Sequence, residues 1–270
     1  VHVPFCRHRC GYCNFTLVAG RDDLLDDYLR VIELELQGLG RPREVDTLFF
    51  GGGTPTHLPP PALQRLFEMQ RKRLPLAAGG ELSVEANPAD LSPETVAALA
   101  ENGVTRVSVG AQSFDAAKLQ LLERRHDRAA IRTAVDRLRQ AGLTVSLDLI
   151  FGVPGESDQV WQTDLRSALE LSPDHLSTYG LTFERGTRFW SRRRRGELRQ
   201  LGEDAEAQRL ELAINELTAA GYQHYEVSNF SRPGHACRHN LNYWRGGTYF
   251  AFGPGAASHV AGWRRMNHRS

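Results

Sequence analysis

The sequence predicts an α/β protein built as a partial (β/α)6 TIM-like barrel with additional α/β elements on its C-terminal side. Strand-like runs recur about every 30 to 45 residues, which is the spacing of consecutive β-α-β units. Six or more such units follow one another, and this arrangement favours parallel strands that close wholly or partly into a barrel. Residues typical of functional sites also fall just after the strands, where barrels place their chemistry. An open doubly wound sheet is the alternative that the same pattern allows.

Runs rich in β-branched and aromatic residues predict the strands. They are Val1–Pro4, Val45–Phe50, Glu81–Ala86, Arg106–Gly110, Thr144–Phe151 and His175–Leu181, with a weaker strand at Gln223–Phe230. Apolar residues at helical spacing predict the helices between them. These are Leu24–Leu39, Pro61–Arg73, Ser92–Glu101, Ala116–Glu123, Arg128–Gln140, Gln159–Leu171 and Glu203–Ala220. The helix ends agree, because Pro93 stands at a first helical position and Gly103, Gly142 and Gly221 each follow a helix.

The charge balance excludes several classes of protein. The 270 residues include 33 Lys and Arg against 32 Asp and Glu, and the net charge of +1 provides no broad field for nucleic acid or an anionic membrane. No apolar stretch approaches the roughly 20 residues of a membrane-spanning helix, and no signal peptide is evident. We therefore expect a cytoplasmic protein with no nucleic-acid partner and no membrane span, for which peripheral membrane contact remains open.

Two regions are expected along the chain. Residues 1–185 form the barrel core, and residues 186–270 form a C-terminal extension that contains the segment His239–Trp244. The basic run Arg192–Arg195 is expected in a loop, where a solvated face is its ordinary interpretation.

Three of the four cysteines lie within eight residues, as Cys6, Cys10 and Cys13 in a C-x3-C-x2-C run. Three thiolates on one short loop suit a metal ion or an iron–sulfur cluster better than a disulfide framework. A zinc site would need a fourth ligand, for which His2 and His8 are candidates at unusual spacing. Three thiolates on a four-iron cluster would instead leave one iron open for a substrate or cofactor.

Further polar residues are predicted at the same rim of the barrel. Glu85 ends the third strand, Gln112 follows the fourth, and Asp148 interrupts the apolar run of the fifth. A charge inside such a strand is costly unless it is paired, so Asp148 is expected to be functional or bonded to a specific partner. Gly51–Gly53 follows the second strand, and three adjacent glycines suit either a tight turn or close backbone approach by a ligand, which we favour.

The cysteine run followed, after a helix and a strand, by Gly51–Pro55 resembles the radical SAM superfamily. The resemblance implies a [4Fe–4S] cluster held by three cysteines, with S-adenosylmethionine (SAM) bound to the fourth iron. Further blocks resemble the group that contains HemW-type heme chaperones and HemN-type oxygen-independent coproporphyrinogen III dehydrogenases. These blocks are His2–Cys6, Phe50–Thr56, Glu85–Pro88, Gly110–Phe114, Asp148–Pro154 and His239–Trp244.

Carried over position by position, the resemblance implies a role for each site residue. The cluster ligands would be Cys6, Cys10 and Cys13, and the methionyl part of SAM would contact Gly52, Gly53 and Thr54. The rest of the cofactor would contact Glu85, Gln112, Arg124 and Asp148, with Tyr12 beside the adenine. These residue types fit such roles, because carboxylates accept hydrogen bonds from ribose hydroxyls or ammonium and Arg can meet a carboxylate with two donors.

Phe15 places the chain nearer to the heme chaperones within this group. HemN-type dehydrogenases have a further Cys at this position, two residues after the third ligand, whereas Phe15 and the His239–Trp244 block resemble HemW. By the same resemblance the chain lacks a Tyr before His2 and a small C-terminal domain, so we interpret it as a core fragment. His239 is the candidate axial ligand of heme, and Cys237 is a rival whose simpler interpretation is a small buried side chain.

We therefore expect a heme chaperone that carries a [4Fe–4S] cluster and SAM, with heme as its cargo. Its expected partners are heme and heme-acceptor proteins, with respiratory enzymes among the candidates. The enzyme alternative is an oxygen-independent coproporphyrinogen III dehydrogenase that uses radical SAM chemistry to make protoporphyrinogen IX. A zinc-bearing binding module is the third class to be weighed.

Overall fold

The computed structural model describes residues 1–269 and contains alternating strands and helices for most of its length. In chain order the strands are β1 (His2–Val3), β2 (Phe5–Cys6), β3 (Val18–Ala19), β4 (Val45–Gly52), β5 (Leu76–Ala86), β6 (Arg106–Gln112), β7 (Thr144–Phe151), β8 (His175–Gly180), β9 (Gln223–His224), β10 (Asn229–Ser231), β11 (Ala257–Val260) and β12 (Trp263–Met266). The helices are α1 (Leu25–Gln37), α2 (Pro60–Arg73), α3 (Pro93–Glu101), α4 (Ala116–Leu121), α5 (Arg128–Gln140), α6 (Asp158–Glu170), α7 (Arg188–Arg194), α8 (Glu203–Ala219) and α9 (Arg238–Trp244).

Six parallel strands lie side by side in the order in which they occur in the chain. The main sheet has the order β1-β4-β5-β6-β7-β8-β10-β9, and its first six strands are parallel while β10 and β9 are antiparallel additions. A doubly wound sheet reverses its strand order at a switch point, whereas the six parallel strands here keep their chain order from one edge of the sheet to β8. The prediction of a partial (β/α)6 TIM-like barrel with added C-terminal elements is therefore confirmed, and the doubly wound alternative is wrong.

The inner face of the barrel is polar because polar and apolar residues alternate along its strands. In β6, Arg106 and Ser108 line the interior cavity, whereas Val107 and Val109 are fully buried in the core between sheet and helices. Successive side chains of a strand point to opposite faces, so one strand serves both surfaces. The neighbouring strands add Ser146, Asp148, His175, Ser177 and Tyr179 to the same interior.

The helices pack on the outer face of the sheet and leave the carboxyl ends of the strands for the loops. The largest fully buried side chains include Trp161 of α6, Phe67 of α2 and Phe50 of β4, and the rings of Phe50 and Phe67 meet edge to face at 4.9 Å. This packing fixes the outside of the barrel. Within residues 1–269 no helix is both long and apolar enough to cross a lipid bilayer.

The C-terminal region differs from prediction in two places. The run Arg192–Arg195 was expected in a loop, but most of it forms the last turn of α7, which begins where the Thr187 side chain accepts a hydrogen bond from the Trp190 amide at 3.1 Å. The predicted strand at Gln223–Phe230 is interrupted between β9 and β10, because the Glu226 carboxylate accepts a hydrogen bond from the Ser228 amide and bends the chain there.

Candidate functional site

One cavity of about 520 Å³ brings all twelve candidate residues of the sequence together inside the barrel. These are Cys6, Cys10, Tyr12, Cys13, Gly52, Gly53, Thr54, Glu85, Gln112, Arg124, Asp148 and His239. Its volume lies within the usual range of pockets for one small ligand. The residues come from seven separate segments of the chain, and the parallel order of the strands places them at one site.

The three clustered thiols lie at the end of β2 and on the loop that follows it. Cys6 Sγ lies 3.4 Å from the Thr54 hydroxyl, and Cys10 Sγ lies 3.7 Å from a guanidinium nitrogen of Arg124. Burial raises the pKa of the Cys6 thiol to about 11 and also raises the pKa of Cys13. Cys6 and Cys13 are therefore protonated without metal at neutral pH, and metal binding to them must release their protons.

Helix α7 supports this cysteine loop from outside. The Phe189 amide donates to the Gly11 carbonyl at 2.9 Å, and a Cβ added to Gly11 would lie 2.8 Å from the Phe189 ring. Arg188 donates to the Arg9 carbonyl at 2.8 Å. Gly11 is therefore required by the close approach of α7.

Protein atoms account for the glycine-rich turn after β4. A Cβ on Gly53 would lie 2.7 Å from the Phe5 carbonyl and 2.8 Å from the Val3 carbonyl, and a Cβ on Gly52 would lie 2.5 Å from the His2 ring. Gly52 also has a φ of +112°, a conformation that favours glycine. The crowding comes from the first strands of the chain, and the turn presents its backbone to the cavity at the same time.

We expect Gly53→Ala to destabilise the fold by about 1 to 3 kcal/mol, because its methyl group would overlap two carbonyl oxygens that belong to rigid backbone. Thermal unfolding of the metal-free protein measures this change. Gly202→Ala is the matched control, since Gly202 has a negative φ and open space around it. An unaltered melting temperature for Gly53→Ala would contradict the close approach described here.

Glu85 and Asp148 are buried carboxyl groups on neighbouring parts of the cavity wall. Glu85 accepts a hydrogen bond from the Gly52 amide at 2.9 Å, and Asp148 accepts from the Ser108 hydroxyl at 2.9 and 3.1 Å. Burial raises the pKa of Glu85 to about 7, with Asp148 adding to the rise, and burial raises the pKa of Asp148 to about 6. Neither forms an ion pair with another group within residues 1–269, so the cavity holds two carboxyls suited to a cationic ligand.

Arg124 connects the cysteine loop to the end of β6. One of its nitrogens donates to the Gly110 carbonyl at 2.9 Å and another faces Cys10 Sγ, while its Nε has no hydrogen-bond partner among the described residues. Gln112 ends β6 with a φ of +64°, and a Cβ on Gly110 would lie 2.7 Å from the Gln112 side-chain nitrogen. Gly110 therefore leaves room for both side chains. Tyr12 packs edge to face on Phe189 at 6.1 Å.

His239 lies in the first turn of the short helix α9, which lies next to β4. Its Nδ1 is 2.8 Å from the Thr47 hydroxyl, its Nε2 is 3.0 Å from the Tyr243 hydroxyl, and its ring stacks on Phe49 at 5.2 Å. Burial lowers the pKa of His239 to about 4, so the imidazole is neutral at neutral pH. Cys237 is buried, and its thiol lies 3.4 Å from the Glu81 carboxylate.

The sequence analysis did not single out several residues of the cavity wall. Ser108 bonds the Asp148 carboxylate, while His175 lies 2.8 Å from both the Ser146 hydroxyl and the Tyr225 hydroxyl. The sequence signal for these residues is the alternation of polar and apolar residues in β6, β7 and β8. A parallel strand that is covered by apolar side chains on both faces would instead be apolar throughout. Such alternation in parallel strands indicates a polar barrel interior.

The fold and the three-cysteine loop define a class of protein, and comparison with known proteins agrees. The family model described as the radical SAM superfamily matches residues 1–168. The solved structure of coproporphyrinogen III oxidase (HemN) from Escherichia coli, a radical SAM enzyme, superposes with a TM-score of 0.87 at 25% identity over 100% of this chain and 66% of that chain.

Relatives in sequence narrow this class. The heme chaperone HemW of Lactococcus lactis is 38% identical over 98% of this chain and 70% of its own length. HemW of Escherichia coli is 41% identical over 96% of this chain and 69% of its own length. The chain belongs to the radical SAM superfamily and, within it, to the HemW group, as the sequence analysis predicted. Membership of the superfamily implies binding of a [4Fe–4S] cluster and SAM.

Proposed function

We propose that this protein binds heme and passes it to acceptor proteins, and that it carries a [4Fe–4S] cluster and SAM in the barrel cavity. The observation that carries the proposal is the 41% identity to HemW of Escherichia coli, against 25% identity to HemN of the same organism. Phe15 supports it, because that position carries a further Cys in the HemN-type dehydrogenases that the chain resembles.

The residues of the cavity fit a cluster and SAM. Cys6, Cys10 and Cys13 provide a soft donor set for three irons and leave one iron without a protein ligand. Glu85 and Asp148 are buried carboxyls without a cationic partner among the described residues, and SAM brings a sulfonium, an ammonium group and ribose hydroxyls. When bound and reduced, such a cluster would supply the electron for reductive cleavage of SAM.

The protein's own groups orient and shield such a cofactor. The backbone of Gly52–Thr54 forms one wall, and the buried guanidinium of Arg124 retains a free Nε donor for a carboxylate. The Phe189 ring of α7 packs against Tyr12 and Gly11 of the cysteine loop and so supports the loop on that side. The Ser108 hydroxyl holds the Asp148 carboxylate on the part of the wall formed by β6 and β7.

His239 is the proposed heme ligand, and its hydrogen bonds determine which of its ring nitrogens can bind iron. A neutral imidazole is a common axial ligand of heme iron. Thr47 holds Nδ1, so iron would take Nε2 after the Tyr243 hydroxyl has moved away. Tyr243 is 46% exposed and has room to move outward. Thr47 then acts like the hydrogen-bond partners that orient other metal-bound histidines.

We expect His239→Ala to weaken heme binding about 100-fold or more, because loss of a metal ligand exceeds the 10- to 100-fold effect typical of its hydrogen-bond partners. Heme titration of the reduced and oxidised protein, followed at the Soret band, measures the change. Cys237→Ala tests the rival ligand, and His235→Ala, on an exposed side chain, is the matched control. Heme binding by His239→Ala that equals the parent protein would remove His239 from the site.

The dehydrogenase is the second candidate function, and the TM-score of 0.87 to HemN favours it. An anaerobic assay with cluster-loaded protein, SAM, a reductant and coproporphyrinogen III separates the two functions. The heme-chaperone proposal expects no protoporphyrinogen IX and retention of added heme. Formation of protoporphyrinogen IX would overturn the view that this chain only carries heme.

A further inference from the structure

A buried network of four charged side chains lies outside the barrel cavity, between α4, α6 and α8. Lys118 contacts both Glu156 and Asp164, with its ammonium 2.8 Å from the latter, and Arg209 lies 3.4 Å from Glu156. Their side chains are between 1% and 7% exposed. Two cations and two carboxylates balance one another, but apolar residues of similar volume often stabilise a core equally well. Stability alone therefore does not explain why these charged side chains are buried.

Asp164 of this network directs its carboxylate to the residues that follow β6. It accepts hydrogen bonds from the Ser113 hydroxyl at 2.9 and 2.7 Å and from the Phe114 amide at 2.6 Å. Ser113 is fully buried and immediately follows Gln112. The carboxylate thus fixes the chain one residue beyond a cavity residue, and Lys118 compensates its charge.

Gln112, the cavity residue just before Ser113, has a strained backbone. Gln112 has a φ of +64°, which is uncommon outside glycine, and the pairing of β6 with β7 shifts register between Val109 and Gln112. Such a bulge turns the following side chain toward a new direction, here into the cavity. Strained backbone persists only where its surroundings hold it, and the Asp164 contacts provide that hold.

The network also holds α4, the helix that leads to Arg124, because Lys118 of α4 contacts the Asp164 carboxylate. Asp115 accepts from the Lys118 amide at 2.8 Å at the start of α4, and its own amide donates to the Ser113 hydroxyl at 3.0 Å. Arg124 follows three residues after α4 ends. Glu156, the second carboxylate of the network, accepts from the Gly152 amide at 2.5 Å just after β7. The network therefore anchors the loops beyond both β6 and β7.

We propose that Asp164, through Ser113 and with its charge balanced by Lys118, is a positioning residue that holds Gln112 in the conformation that contacts the adenosyl part of SAM. This inference rests on the proposed SAM site. In this proposal the buried network raises the affinity for the cofactor, although none of its four charged side chains lines the cavity.

Binding of S-adenosylhomocysteine to cluster-loaded protein tests the proposal without requiring turnover. We expect Ser113→Ala to raise the dissociation constant about tenfold, the equivalent of one lost hydrogen bond, and Asp164→Asn to raise it further. Ser167→Ala is the matched control, because Ser167 is also buried and lies one turn after Asp164 in α6. It should bind S-adenosylhomocysteine as the parent protein does. If Asp164→Asn fails to fold, Ser113→Ala alone decides.

A double-mutant cycle separates positioning from general stability. If Ser113 acts through Gln112, Ser113→Ala changes binding little in a Gln112→Ala background, while it lowers the melting temperature equally in both. A tenfold effect that persists in the Gln112→Ala background would overturn the proposal, as would parent-like binding by Ser113→Ala. Heme titration stays unchanged in Ser113→Ala. If the cluster-loaded parent protein binds no S-adenosylhomocysteine, the SAM site itself is refuted. This outcome differs from failure of the positioning proposal, because it is seen in the parent protein without any substitution.

Discussion

Replacement of Cys6, Cys10 or Cys13 by Ala is expected to leave the protein colourless after anaerobic reconstitution with iron and sulfide. The parent protein should become brown and retain about four irons and four sulfides per chain, the stoichiometry of a [4Fe–4S] cluster. Each substitution removes one of three thiols on a single cavity wall, and the described residues offer no cysteine there to replace it. Iron and sulfide analysis with the absorption spectrum measures the outcome.

Cys237→Ala is the matched control for these substitutions. Cys237 is also buried and also borders the cavity, but its thiol lies beside Glu81, away from the cysteine loop. We expect it to assemble the cluster as the parent does. A brown Cys10→Ala protein with full iron content would contradict the assigned ligand set, and a colourless parent protein that retains one zinc ion would favour the zinc-bearing binding module.

The order of strands and the position of the site follow from local patterns in the sequence. Apolar runs at β-α-β spacing predicted the six parallel strands, since each run is buried against a helix on its outer side. The candidate residues met in one cavity because parallel strands place all their carboxyl ends at the same rim. Cys6, Glu85 and Asp148 could be identified in this way without knowledge of any contact.

Contacts between distant segments could not be predicted in the same way. The glycine triplet was interpreted as close approach by a ligand, which stays a prediction, but the pattern could not reveal that the carbonyls of Val3 and Phe5 also crowd Gly53. Helix α7 depends on the packing of Phe189 against Gly11, some 180 residues earlier in the chain. Short helices of this kind form through tertiary packing, because an isolated helix of two turns is marginal in water.

The polar interior of the barrel has an energetic consequence. Two carboxyls of the cavity have a pKa raised mainly by burial, so at neutral pH the empty cavity contains charge that water would solvate better. A cationic cofactor would relieve this unfavourable state, and the relief would appear as binding affinity. The site is therefore expected to reduce the stability of the cofactor-free protein in favour of cofactor binding.

Glu85→Gln tests this trade-off directly, and we expect it to stabilise the cofactor-free protein at pH 8 by up to about 3 kcal/mol. The pKa of Glu85 is about 7 in the folded protein against 4.5 as its ordinary value. The folded state therefore holds the proton more tightly, and stability that is present below pH 4.5 is lost as the pH rises through 7. Gln cannot ionise, yet its side-chain oxygen can still accept the bond from the Gly52 amide.

Melting temperatures of the cofactor-free parent and Glu85→Gln proteins at about pH 5, near the ordinary pKa of 4.5, and at about pH 8, above the folded-state pKa of about 7, measure this effect. The difference should be small at the acid end and grow with pH, while S-adenosylhomocysteine binding to the cluster-loaded variant weakens. Glu101→Gln, on the exposed surface of α3, is the control and should change neither quantity. A gain in stability that is equal at both pH values would show that the charge of Glu85 does not destabilise the folded protein. Parent-like binding of S-adenosylhomocysteine by Glu85→Gln would remove this carboxylate from the cofactor site.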